Sequence, residues 1–182
     1  MKVVEERTVG PDLGADSIRA GALAGIVAVL AVSVIMIATY GRFGLYAVAA
    51  LIINVLLILG VMSMGGFTLT LPGIAGMVLT IGAAVDANVL INERIREEQR
   101  KGRGVIPSVE VGFRDATRTI WDANSLNIIV AVIMFIFGSG PIKGFAVVLS
   151  IGIATSVFTA VTVVRLMASR WLAKARPASL SI

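Results

Sequence analysis

The chain has 182 residues, of which 57% are hydrophobic and only 15% charged, and its mean hydropathy is +0.94. A water-soluble domain of this size has no use for so much apolar surface, so composition excludes an ordinary globular protein and predicts an all-α, polytopic membrane bundle. The net charge of +5 is carried mostly between and after apolar runs, which argues against a nucleic-acid partner. The lack of cysteine and histidine removes disulfides, the usual metal and haem ligands and histidine-activated nucleophiles, so no metal site, no cofactor and no enzymatic reaction are expected.

Residues 1–15 are polar and predict an extracytoplasmic N-terminal segment ahead of a transmembrane domain at 16–174. They lack the features of a cleaved signal peptide. A first stretch that belongs outside without an export signal reads as the start of the C-terminal membrane portion of a longer chain; the alternative is that the first span is itself the start signal. Ala20 to Gly41 hold 22 residues without a charge, enough to cross a hydrocarbon core of ~30 Å, and set the first span at about 18–39. The next 43 residues, Phe43 to Val85, are also uncharged and would measure ~65 Å as one helix, so they must fold as a hairpin. Ser63-Met64-Gly65-Gly66 breaks them, and Pro72 suits a helix first turn, giving spans at about 43–63 and 71–92.

After the third span comes a charged cytoplasmic stretch. Glu93-Arg94-Ile95-Arg96-Glu97-Glu98 carries the helix into water, Lys101-Gly102-Arg103-Gly104 breaks it, and Pro107 opens a short interfacial helix at about 107–118. In that helix Val109, Gly112, Phe113, Ala116 and Ile120 share one stripe, with Glu110 and Arg114 paired on another. Two further spans follow at about 121–138 and 143–171, divided by Gly138-Ser139-Gly140-Pro141, and 175–182 form a cytoplasmic tail. The expected architecture is thus five transmembrane helices plus the interfacial one. An external N-terminus and cytoplasmic C-terminus put 12 of the 16 basic residues inside, the arrangement that the positive-inside bias favours.

Asp86 is the candidate functional residue. It lies inside the third span, 14 residues or ~21 Å past Pro72 and beyond the midplane toward the cytoplasm. A charge at such depth costs ~2.5 kcal/mol or more, so a chain that keeps one needs it to move an ion or hold a partner. Gly73, Gly76, Thr80, Ala83 and Ala87 fall on one face and predict a close helix contact, with Asp86 at its edge. No other span offers a cation at matching depth, so the partner must be water, an amide, a hydroxyl or another subunit. A carboxylate so placed is able to load and release protons, the expected coupling ion; the competing reading is structural glue between helices. Possible relay or hydrogen-bonding partners are Asn88, Glu93, Asp122, Asn124, Thr155 and Thr159. Boundary charge is the simpler role for Glu93, interhelical bonding for Asn88, helix capping or an interfacial place for Asp122, and self-bonding to their own helix for the threonines.

The run Leu71-Pro72-Gly73-Ile74-Ala75-Gly76, with Val85-Asp86-Ala87-Asn88-Val89-Leu90-Ile91-Asn92-Glu93-Arg94, resembles the SecD family of protein-export membrane subunits. Gly10-Pro11-Asp12-Leu13-Gly14, Asp122-Ala123-Asn124 and Phe137-Gly138-Ser139-Gly140-Pro141-Ile142-Lys143-Gly144 extend the likeness over nearly the whole chain. The related SecF has a different run after its membrane aspartate. The resemblance implies a bacterial inner-membrane protein of the resistance-nodulation-division type. Such a protein pairs with SecF beside the SecYEG channel and the SecA motor, with YajC as a further candidate partner, and spends the proton-motive force on export. It also implies that the family's membrane aspartate corresponds to Asp86. The exported polypeptide would be gripped by a large periplasmic domain that these residues do not include. Ser125-Leu126-Asn127 departs from the family's small, threonine-containing run: either Asn127 takes over a hydrogen-bonding role there or the site is less tuned. Two other classes stay open: a non-conducting translocon scaffold, and half of a small-molecule or lipid exporter of the same type, which the short outer loops disfavour.

Overall fold

The computed structural model describes residues 11–175, 177 and 180. Regular structure among them is helical throughout: α1 (Pro11–Met64), α2 (Leu71–Arg100), α3 (Val105–Phe137), α4 (Pro141–Phe158) and α5 (Arg165–Ala175). A π-helical turn, Thr159–Val164, joins α4 to α5, so Pro141–Ala175 is a single rod. Four rods are long and apolar enough to cross a membrane, which makes this a multi-pass membrane protein.

The first rod is bent. Gly41 adopts φ 54°, ψ −118° within α1, a conformation that costs glycine little and any other residue much. The two arms fold back on each other: Val29 before the bend and Val55 after it both pack against the cluster that Leu51 forms with Ile81 and Ala84. The return is tight enough that a Cβ on Gly44 would overlap the Met36 carbonyl. The two helices expected at 18–39 and 43–63 are the two arms, which meet at Gly41 with no loop between them, and the first begins at Pro11. The other connections are short. Gly66, Gly102 and Gly140 take positive φ at the turns that follow α1, α2 and the Gly138–Ser139 step. Thr70 caps α2, its hydroxyl accepting from Gly73 N at 3.2 Å.

The separate interfacial helix is also corrected. Residues 107–118 are the first turns of α3, which runs unbroken to Phe137. No glycine pair or proline interrupts the sequence between 113 and 121, and the stripe Val109, Gly112, Phe113, Ala116 and Ile120 is buried. It packs on the charged C-terminal part of α2, so closely that a Cβ on Gly112 would meet Ile95. The expected Glu110–Arg114 pair does not form; Arg114 bonds Asp115 at 3.1 Å. Residues 1–10 of the expected N-terminal segment and most of the expected tail lie outside the described residues.

α2 is central and touches α1, α3 and α4. Its glycine and small-residue face meets α4: a Cβ on Gly76 would touch Phe145, and one on Gly152 would overlap Thr80. Close backbone approach of this kind is how helices associate where lipid offers no hydrophobic drive.

Candidate functional site: a carboxylate groove between α2, α3 and α4

Asp86 faces a groove that α2, α3 and α4 line together. The groove there has a volume of about 520 Å³ and is walled by Leu79, Gly82 and Ala83 of α2, Asn127, Val130 and Met134 of α3, and Phe145, Leu149 and Ile153 of α4. The walls are apolar apart from Thr80 and Asn127. Asp86 is exposed to this groove, and among the described residues it has neither a hydrogen-bond nor an ion-pair partner. Gly82 leaves open space beside it. The groove therefore offers a membrane carboxylate to something outside the bundle, with one amide on the opposite wall.

Of the residues singled out in the sequence, Gly73, Gly76, Thr80 and Ala87 are buried and Ala83 is half-buried. Asn88 is buried on another side of α2, its Nδ2 donating to Ala84 O at 2.9 Å. Asn124 repeats that geometry in α3, donating to Ile120 O at 2.8 Å, so the recurring Asp-Ala-Asn gives the same local form twice: an outward Asp and a back-bonded, buried Asn. Asp122 is exposed and lies deep within α3, which removes the helix cap expected of it. Thr155 donates to Ile151 O at 3.0 Å and Thr159 to Ser156 O at 3.1 Å. Neither lines the Asp86 groove. Asn127, a departure from the family run, does.

Glu93 belongs to a second polar cluster, at the bend of α1. Its Oε1 accepts from Tyr40 Oη at 2.9 Å and from Arg96 Nη1 at 2.7 Å. Arg96 also donates to Thr39 O at 3.1 Å and its guanidinium stands 5.0 Å over the Tyr40 ring. These contacts fasten the bend of α1 to α2. Trp171 closes the other side, edge-on to Phe43 at 6.1 Å and 5.4 Å beneath the Arg42 guanidinium. Farther along α2, Lys101 and Arg94 hold the Glu97 carboxyl below its usual range. Glu98 and Glu97 in turn raise Lys101. Tyr40 and Arg96 gave no sequence signal beyond being a ring and a cation at helix ends. Asn54, wholly buried in the second arm of α1, had one: it is a lone amide in an otherwise apolar run.

Residues 1–172 match the family described as Protein export membrane protein SecD/SecF, C-terminal. The chain belongs to the SecD/SecF family. Similar relatives include the protein translocase subunits SecD of Acetobacter pasteurianus, 52% identical over 100% of this chain and 35% of the relative, and of Rhodobacter capsulatus, 51% identical over 100% and 33%. The fold is shared with a solved Thermus SecDF, described as a translocon-associated membrane protein: TM-score 0.90, 43% identity, 94% of this chain and 24% of that one. A SecDF structure in a super-membrane-facing form gives TM-score 0.86 at 43% identity, over 100% of this chain and 25% of that one. The chain thus spans about a third of the length of its curated SecD relatives.

Proposed function

We propose that these residues form the membrane part of a SecD-type subunit that uses the proton-motive force to complete protein export, with Asp86 as the proton-binding group. The supporting observation is the groove: a carboxylate deep in an apolar wall, without a protein partner, at the meeting of three helices. Left alone in lipid it would cost several kcal/mol. A second membrane subunit covering the mouth of the groove removes it from lipid while leaving room for water, and SecF is the partner that the SecD likeness of the relatives favours. SecYEG, SecA and YajC complete the assembly, and protons are the coupling ion. The bend at Gly41 makes α1 two crossings and the whole bundle five. With the N-terminus outside and the C-terminus in the cytoplasm of a bacterial inner membrane, the arginine-rich end of α2 and the start of α3 lie inside. In that arrangement Asp86 is nearer the cytoplasmic face, the exported chain is handled by parts of the protein beyond these residues, and the small-residue seam of α2 and α4 is the stiff wall against which the groove opens and closes.

The test is Asp86→Asn in the full-length protein, with export of a secreted precursor measured in the presence and absence of an uncoupler. The expected result is loss of the uncoupler-sensitive part of export while SecF co-purification stays unchanged. Uncoupler-sensitive export equal to that of the unaltered protein refutes the proposal.

A further inference from the structure

On the opposite side of α2 from Asp86 the bundle buries three asparagine side chains whose amides are not satisfied by protein. Asn54 is 0% exposed, Asn88 2% and Asn92 1%. Among the described residues, Nδ2 and Oδ1 of Asn54, Oδ1 of Asn88 and Nδ2 of Asn92 have no hydrogen-bond partner. A buried amide atom left unpaired keeps its full desolvation penalty, and lipid at the periphery offers no remedy.

Their placement follows from the packing on either side. In the second arm of α1, Asn54 shares the buried stripe with Leu51 and Ile58. Leu51 packs against Ile81 and Ala84 of α2, and Ile58 packs against Met77 and Val148. Asn54 therefore faces α2 at the level of Thr80 and Ile81. The same antiparallel register, carried toward the cytoplasm, sets Ala47 opposite Asn88 and Phe43 opposite Asn92. Asn88 is turned ~160° around α2 from Asp86, and from Ile81 to Asn92 the line rises ~16 Å. Thr80 donates to Met77 O at 2.8 Å and Ser156 to Ile153 O at 2.9 Å. Their oxygens keep lone pairs free to accept.

We infer that Asn54, Asn88 and Asn92 bind internal water, forming a hydrated line inside the α1–α2–α4 seam that touches the wall of the Asp86 groove at Thr80 and ascends toward the cytoplasmic end of α2 on the side turned away from Asp86. Water is the ligand whose chemistry fits: it both donates and accepts, matching unpaired N–H and C=O groups at once, and it fits between helices too close for anything larger. The α4 wall of the seam loosens into the π turn Thr159–Val164 at the level of Asn88; such turns expand the helix and disturb its carbonyl ladder. Protons can pass along such a line by exchange of hydrogen bonds. The inference does not rest on the proton-binding role of Asp86.

Radiolytic hydroxyl labelling of the full-length protein in lipid nanodiscs tests it, because radicals made from bound water oxidise the side chains beside that water. Leu51 is 2% exposed, and Phe43 and Phe113 are both 1% exposed, so none reacts with bulk solvent. Expected are fast oxidation of Leu51 and Phe43, background oxidation of Phe113, and loss of the Leu51 signal in Asn54→Leu. Asn54→Leu is also expected to lower the unfolding midpoint, because a satisfied amide–water network is lost. Oxidation of Leu51 and Phe43 in the unaltered protein no faster than that of Phe113 overturns the inference whether or not the variant folds. A raised midpoint for Asn54→Leu, the mark of a dry orphaned amide being removed, overturns it too.

Discussion

Replacing Gly152 by alanine puts one methyl group where Thr80 already stands. The added Cβ would lie against Thr80 Cγ2, Cβ and Oγ1, all well inside contact distance, so α2 and α4 must part by about 1 Å to restore ordinary carbon–carbon spacing. A gap of that size forfeits a quarter to a half of the dispersion energy along the seam, and overpacking of this type costs ~1–3 kcal/mol. We expect the upper part of that range, since both partners are backbone-near atoms of rigid helices and Thr80 is 0% exposed, with no flexible side-chain end to yield. Chemical unfolding in mixed micelles measures the loss. Thr80→Gly removes all three obstructing atoms, so the double variant should recover most of the damage, with a coupling energy of about 1 kcal/mol or more. Costs that simply add to within ~0.5 kcal/mol would refute the close α2–α4 contact.

Gly112→Val should detach the start of α3 from α2, because its new Cβ meets the Ile95 backbone as well as its side chain; faster amide exchange across residues 92–100 and 105–116 is the expected readout. Tyr40→Phe removes one hydrogen bond to a half-exposed carboxylate and should destabilise by about 1 kcal/mol. Arg96→Ala should do more, because it removes the Glu93 bond, the Thr39 bond and the ring contact together; spin labels on the two arms of α1 would report the looser bend as a broadened distance distribution. For Glu97, the folded carboxyl lies below its ordinary value because of Lys101 and then Arg94. Its contribution is therefore present above the ordinary carboxylate range and fades as pH falls through the folded value. The stability gap between the unaltered protein and Glu97→Gln should be small, present at neutral pH and absent in strong acid, and thermal midpoints across pH check it.

The membrane class, the positions of the turns and the small-residue face of α2 were legible because each is written in local chemistry: charge gaps as long as a bilayer, glycines and prolines between them, and glycine spacing along one helical face. The break in α1 was legible as the single charge, Arg42, between two bilayer-length apolar runs, but not the loop-free junction at Gly41. A glycine between two apolar runs looks the same whether it ends a helix or bends one, and the contacts to Glu93 and Arg96 that fix the bend come from 53 and 57 residues away. The interfacial helix was misread for a related reason. An apolar stripe at helical spacing fits a membrane surface and the flank of another helix equally well, and what decides here is Ile95 packed against Gly112. At the site itself, Asp86 announces itself through its cost in lipid, whereas the groove around it depends on how α3 and α4 pack beside α2. Asn127 was visible as a departure from a family run, but only the fold brings it across from Asp86.

Infrared difference spectroscopy on the full-length protein in lipid, stepping the pH, tests the proton-binding role of Asp86 most directly. The account predicts a carboxylic C=O band that grows and fades with pH and is missing from Asp86→Asn. The same band persisting in that variant, or no pH-dependent carboxyl signal in the unaltered protein, would contradict it.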